Sequence, residues 1–215
     1  MKRSSVLFAV AAALLTVATV VLLGWGIQSR MLVSLLPGAV TTKPLTAVCF
    51  FLCGVLFTTS LRNDATNDIV QAWCCLSIDL LMGLTLIDSI YHVDTGVTQL
   101  LFVEPPEWAE NSLAPGLPSL GTIVSFLLIA TVYWTRLLSR RVRLVVGCST
   151  FSASLIATIS MAACFGHAFG VQELTLNVPQ VSGGMSLPAA LLFVVASIGL
   201  VYLNCPLQHI AKRNS

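Results

Sequence analysis

Charge is the scarcest commodity in this sequence. Only 9% of its 215 residues are Asp, Glu, Lys or Arg, against 56% hydrophobic, and the mean hydropathy is +0.90. A soluble domain needs a polar surface, so this composition excludes one and indicates an integral membrane protein. The net charge of +2 offers no basic face for nucleic acid, because the few basic residues border apolar runs. Catalytic signatures are also missing. There is no Walker-type loop, GxSxG, HExxH or CxxC pair, which removes the usual grounds for NTPase, serine-hydrolase or zinc chemistry. The chain is read as not an enzyme, with no metal and no cofactor. Its cysteines (Cys49, Cys53, Cys74, Cys75, Cys148, Cys164 and Cys205) avoid the loops expected to face out. No disulfide framework follows, and small apolar packing is their reading.

What the sequence does have is long apolar runs, at about 6–26, 44–61, 68–91, 119–138, 142–165 and 186–204. Each is read as a span of a hydrocarbon core roughly 30 Å thick. The first could pass for a signal peptide, but it lacks a clear cleavage site before Gly24-Trp25-Gly26, so it is kept as an uncleaved helix.

A short pattern recurs three times at the start of a run: Thr46-x-x-x-Phe50, Thr122-x-x-x-Phe126 and Ala189-x-x-x-Phe193. A Pro-, Gly- and Ser-containing loop precedes each copy, and another apolar run precedes each loop. The unit is therefore helix, outer loop, helix. Units at about 6–61, 68–138 and 142–204 make one all-α membrane domain of six helices over 1–215. Pro44, Pro118 and Pro188 fall near the start of the second helix in each, where a missing N–H costs nothing.

Basic residues set the expected orientation. Lys2, Arg3, Arg62, Arg136, Arg140, Arg141, Arg143, Lys212 and Arg213 lie on one side, and Arg30 and Lys43 on the other. Both termini are thus expected in the cytoplasm, with Asp94, Glu104, Glu107, Glu110 and Glu173 in the outer loops. The longest loop contains Leu100 to Trp108, a mix of apolar, aromatic and acidic residues that should lie at the interface or fold over the bundle mouth. Trp25, Tyr91, Trp108, Tyr133, Trp134 and Tyr202 fit an aromatic belt.

Asp79 is the sharpest single residue. It falls near the middle of the third run, with no Lys or Arg inside any run to pair with it. An ionised Asp at the bilayer centre costs about 2.5–3.5 kcal/mol. Thr150, Ser154 and Thr158 recur every four residues on the fifth run and are expected to face it. Asp79 then reads either as a ligand- or proton-responsive carboxylate or as a protonated acid in a structural hydrogen bond. Asp88 lies nine residues further, on the opposite face and near a wetted border, so the two are not a catalytic pair. His92 and His167 end the third and fifth runs at matching positions; as a pair they are the one haem or metal candidate, short of further ligands. His209 reads as solvated.

Three stretches carry a family resemblance: Pro37 to Phe50; Gly96 to Phe102 with Pro115-Gly116 and Thr122-x-x-x-Phe126; and Gly166 to Leu174 with Gly184 to Phe193. Together they resemble the multi-spanning, MASE-like N-terminal sensor region of bacterial histidine kinases and diguanylate cyclases. The resemblance covers almost the whole chain. It implies an input module in the bacterial inner membrane that senses a membrane or periplasmic condition and signals to a membrane or cytoplasmic partner. No output domain is present in these residues, so kinase or cyclase activity does not carry over. Two other classes stay open: an accessory subunit of a larger membrane complex, and a small transporter. The transporter would need a midplane site in broken helices, for which Asp79 is the only support.

Overall fold

A computed structural model describes residues 3–34, 40–61, 64–93, 95–105, 108, 116–139, 141–175 and 183–204. The helices are α1 (Arg3–Gly26), α2 (Arg30–Ser34), α3 (Pro44–Thr59), α4 (Ala65–Tyr91), α5 (Leu120–Leu138), α6 (Val142–Phe169) and α7 (Leu187–Leu203), with single 3-10 turns at Val97–Gln99 and Gln172–Thr175. No strand occurs among the described residues. Four helices, α1, α4, α5 and α6, are long and apolar enough to cross a membrane. Helices α3 and α7 are equally apolar but have 16 and 17 residues, or about 24–26 Å at 1.5 Å per residue.

The sequence explains where the helices start and stop. Pro44 opens α3 and Pro188 lies in the first turn of α7, where no backbone donor is lost. Ser119 caps α5 by accepting a hydrogen bond from the Thr122 N–H. Helices α4 and α6 end on left-handed residues, His92 and Gly170. Short α2 interrupts the first loop, where no helix was expected, and α6 runs four residues beyond the expected boundary at 165.

Packing divides the helices into two sets. Each of α1, α4 and α6 packs on the helix that completes its own unit, respectively α3, α5 and α7. Each also packs on the completing helix of the unit before it, so that α1 touches α7, α4 touches α3 and α6 touches α5. The ring closes with α3, α5 and α7 meeting at the centre. We call these the central helices and the other three peripheral. On the axis, Phe50, Phe126 and Phe193 form a triangle with ring centroids 4.7–4.8 Å apart, all fully buried. These are the phenylalanines of the recurring motif. Two of the contacts are edge-to-face and the Phe50–Phe193 contact is tilted, arrangements that suit the ring quadrupole. Close approach elsewhere depends on small residues: a Cβ at Gly199 of α7 would meet the Phe57 ring of α3 at 2.7 Å.

The peripheral helices turn large apolar side chains outward, among them Phe8, Trp73, Leu80 and Phe151. The expected aromatic belt needs correction at two positions. Tyr133 is fully buried against Phe57, and Trp25 is 3% exposed because a loop lies over it. Arg3 of α1 donates to the Leu203 carbonyl of α7, so the start of α1 and the end of α7 share one end of the bundle. We call this the terminal mouth. The opposite end, closed by the long connections, is the loop mouth.

Candidate site at the loop mouth

The central helices begin at the loop mouth. Their caps, Lys43, Ser119 and Ser186, occupy the same position of the motif, three residues before Thr46, Thr122 and Ala189. All six residues line one small cavity, together with Arg30. Its volume is about 30 Å³, room for about one or two waters. Ser186 also joins hydroxyls with Thr42 at 2.9 Å, tying the first loop to the third. Helix N-termini carry roughly half a positive charge each, and Lys43 and Arg30 add two full charges.

The balancing anion comes from the second loop. Side chains from Leu101 to Glu104 alternate out, in, out, in. Leu101 and Val103 are exposed, while Phe102 stacks on Trp25 with centroids 6.2 Å apart and Trp108 meets the same indole at 5.0 Å. Trp25 is itself anchored by Nε1 donating to the Thr42 carbonyl at 2.8 Å. This clamp delivers Glu104 into the bundle at 5% exposure. Lys43 Nζ donates to Glu104 Oε1 at 2.5 Å, with Thr41 Oγ1 at 3.4 Å, and Gly116 N–H donates to Oε2 at 2.6 Å. Gly116 sits at φ +77°, and a Cβ there would run into the Thr98 backbone; glycine is required. Among the described residues this is the single ion pair. Burial pushes the Lys43 ammonium below its usual range, and the Glu104 charge pulls it part of the way back. The arrangement can hold an anion and can open by losing one.

Asp79 does not face the residues expected to hold it. Its Oδ2 accepts from the Trp134 indole N–H of α5 at 2.7 Å. Thr150, Ser154 and Thr158 are exposed on the outer surface of α6, and Thr150 and Thr158 donate to backbone carbonyls four residues back. Such back-bonding satisfies a hydroxyl without any neighbour. The hydroxyls that α6 does bury are Ser149, Ser152 and Ser160, and Ser149 donates to the Leu200 carbonyl of α7. Asp88 is also corrected: it is 7% exposed rather than wetted, and its carboxylate accepts from the Thr95 N–H and hydroxyl. It fastens the chain where α4 ends.

The two histidines have separate settings. His92 is exposed, and His167 Nε2 donates to the Met185 carbonyl at 2.8 Å. Cys49 and Cys53 of α3 are buried near Cys74 and Cys75 of α4, all as free thiols. Among the described residues no group of three or more His, Cys, Asp or Glu could hold a metal ion. Glu107, Glu110, Asp94, Cys205 and His209, with Lys2, Arg62, Arg140, Lys212 and Arg213, lie outside the described residues. Sequence reasoning missed Lys43 and Glu104 as partners. The available signal was that Lys43 is one of two basic residues on its side and that Glu104 directly follows the apolar Leu100 to Val103. No family model matches the chain, and no curated protein or solved structure is significantly similar to it.

Proposed function

We propose that this chain is a six-span input module of the bacterial inner membrane that reads a stimulus at its loop mouth. The observation that carries this reading is the buried Lys43–Glu104 pair. It joins a detachable loop to the N-terminus of a central helix, at the point where all three central helices converge. A stimulus that displaces the Glu104 carboxylate leaves the ends of α3, α5 and α7 unbalanced. The bundle then has two arrangements with different affinity for the stimulus, which sensing requires.

Helices α3 and α7 serve as the fifth and sixth spans. Their shortness fits a mouth that loops fill from outside. Basic residues favour a cytoplasmic terminal mouth: Arg3, Arg136, Arg141 and Arg143 are there, against Arg30 and Lys43 at the loop mouth. The resemblance to MASE-like sensor regions rests on the motif that builds the phenylalanine triangle and the cap ring. A shift of the central helices at the terminal mouth would be the output passed to a partner. As a transporter the chain would need a free midplane site, whereas the Asp79 carboxylate accepts a bond from Trp134.

The test is a distance measurement in nanodiscs. Spin labels at Leu138 and Tyr202 report the terminal ends of α5 and α7. Glu104→Gln should detach the second loop, read as a change in Trp25 and Trp108 emission, and should shift the label distance distribution. Loop release with an unmoved distribution would overturn transmission, and with it the sensory reading, in favour of a static accessory subunit.

A further inference from the structure

At the terminal mouth, Arg3 and Arg136 form no ion pair among the described residues. Arg136, in the last turn of α5, donates through Nη1 to the Asn204 side-chain oxygen at 2.7 Å and to the Leu203 carbonyl at 3.3 Å. Arg3 reaches the same Leu203 carbonyl through Nη2 at 2.9 Å. Two guanidinium groups therefore converge on one backbone oxygen at the end of α7. Arg3 acts on Arg136 as a like charge, and Asp68 is felt there without forming an ion pair. Three buried donors are left without any partner: Arg3 Nε, Arg136 Nε and Asn204 Nδ2. Asn204 is 1% exposed, so its amide has no solvent to turn to.

Orphaned buried donors carry the desolvation cost of the group, about 1–3 kcal/mol each and more when charged. Adjacent like charges add to it. An anion with several acceptor oxygens removes both costs at once, and a planar guanidinium offers the forked donors that a phosphate accepts. We propose that the terminal mouth is a binding site for a phosphate group, carried by the headgroup of an anionic phospholipid. The site sits where three helices from different units end, so an occupant would tie α1, α5 and α7 together. In the six-span reading this end of the bundle lies at a membrane face, where basic pockets between spans can hold lipid headgroups. The inference is independent of the sensory reading.

The experiment uses the full chain, delipidated in a neutral detergent. Its thermal midpoint is followed during titration with phosphatidylglycerol, phosphatidylcholine or inorganic phosphate, and retained lipid is counted by native mass spectrometry. Phosphatidylglycerol should raise the midpoint and remain bound, while phosphatidylcholine should do neither. Arg136→Gln should weaken phosphatidylglycerol about 10- to 100-fold, the worth of a hydrogen bond to a charged group, whereas Arg141→Gln, which removes an exposed charge at the same end, should leave it nearly unchanged. Stabilisation by inorganic phosphate to the same extent would support the site and assign it to a soluble phosphate. If neither anion shifts the wild-type midpoint, a result that needs no variant, the proposal is overturned. Equal lipid affinity in wild type, Arg3→Gln and Arg136→Gln would overturn it too.

Discussion

At the loop mouth, Lys43 is buried against a carboxylate that arrives from 61 residues further along the chain. At the terminal mouth, Arg3 and Arg136 share a backbone carbonyl and leave three donors unpaired. The two ends of one bundle thus treat these cations differently, although Arg30 at the loop mouth also leaves its Nε unpaired. One mouth pairs its lysine with a carboxylate from a loop, and the other is where we propose that an outside anion binds. The difference follows from the connections. The long second loop can fold an acidic residue into the helix ends, whereas the terminal mouth is formed by helix termini and short turns. It teaches where an external ligand competes with the protein's own group, and where it completes a site left open.

The largest effect should come from breaking the closed mouth on one side only. Lys43→Met leaves Glu104 buried with one backbone and one hydroxyl donor, and removing one partner of a buried pair costs about 3–5 kcal/mol. A thermal or denaturant series in a defined detergent reads this directly. The double variant Lys43→Met with Glu104→Leu should recover most of the loss, since apolar replacement of a buried pair is often near neutral. A double variant as unstable as the single one would mean that the pair itself, rather than an orphaned charge, holds the mouth shut. Removing Arg136 at the open mouth should cost far less in the absence of anion, because the same change relieves a like-charge contact.

Next in size is Gly116→Ala. Its left-handed φ and its contact with the Thr98 backbone should make this small change cost about 1–3 kcal/mol and withdraw the N–H that holds Glu104 Oε2. Fluorescence of Trp25 and Trp108 separates the two mouths here. It should change with loop undocking, while the lipid response of the terminal mouth stays intact.

Much of the scaffold was legible from the sequence. The recurring Thr/Ala-x-x-x-Phe marked the starts of α3, α5 and α7 and put three phenylalanines on the faces that meet. The long helices were legible from unbroken apolarity. Polar contacts were not, because a helical period does not reveal which of two weakly polar faces points inward. Thr150, Ser154 and Thr158 repeat every four residues, more regularly than the buried Ser149, Ser152 and Ser160 of α6, yet a hydroxyl that bonds its own backbone tolerates lipid. Asp79 was readable as an intramembrane acid, but its partner Trp134 is 55 positions away and looked like a belt residue. Lys43 and Glu104 were hidden for the same reason: their meeting depends on how a loop folds, and a loop has no period to read.

Asp79 lies between the mouths and tests whether they are linked through the bundle. Asp79→Asn keeps an oxygen that accepts from the Trp134 indole, so stability should fall by about 1 kcal/mol at most. Trp134→Phe removes the donor and should cost more. A Leu138–Tyr202 label distance distribution that still shifts on Glu104→Gln in either background would show that Asp79 has no part in coupling.

The smallest expected effect on stability is also the one that separates the mouths most cleanly. Lysine can lose its charge at alkaline pH and arginine cannot. Burial holds the Lys43 pKa below the ordinary 10.5. Between that lowered value and 10.5, the unfolded chain retains a proton that the folded chain has lost. The contribution of Lys43 to stability therefore rises with pH in this window rather than falling. The same deprotonation removes the charge that faces Glu104. An alkaline titration should change Trp25 and Trp108 emission below the ordinary lysine range, with the thermal midpoint flat or slightly raised and the response of the terminal mouth to anionic lipid unchanged. Lys43→Arg should abolish the emission change. A transition that appears only at or above the ordinary lysine range would mean that water reaches Lys43, and the loop mouth would then be as open as the terminal one.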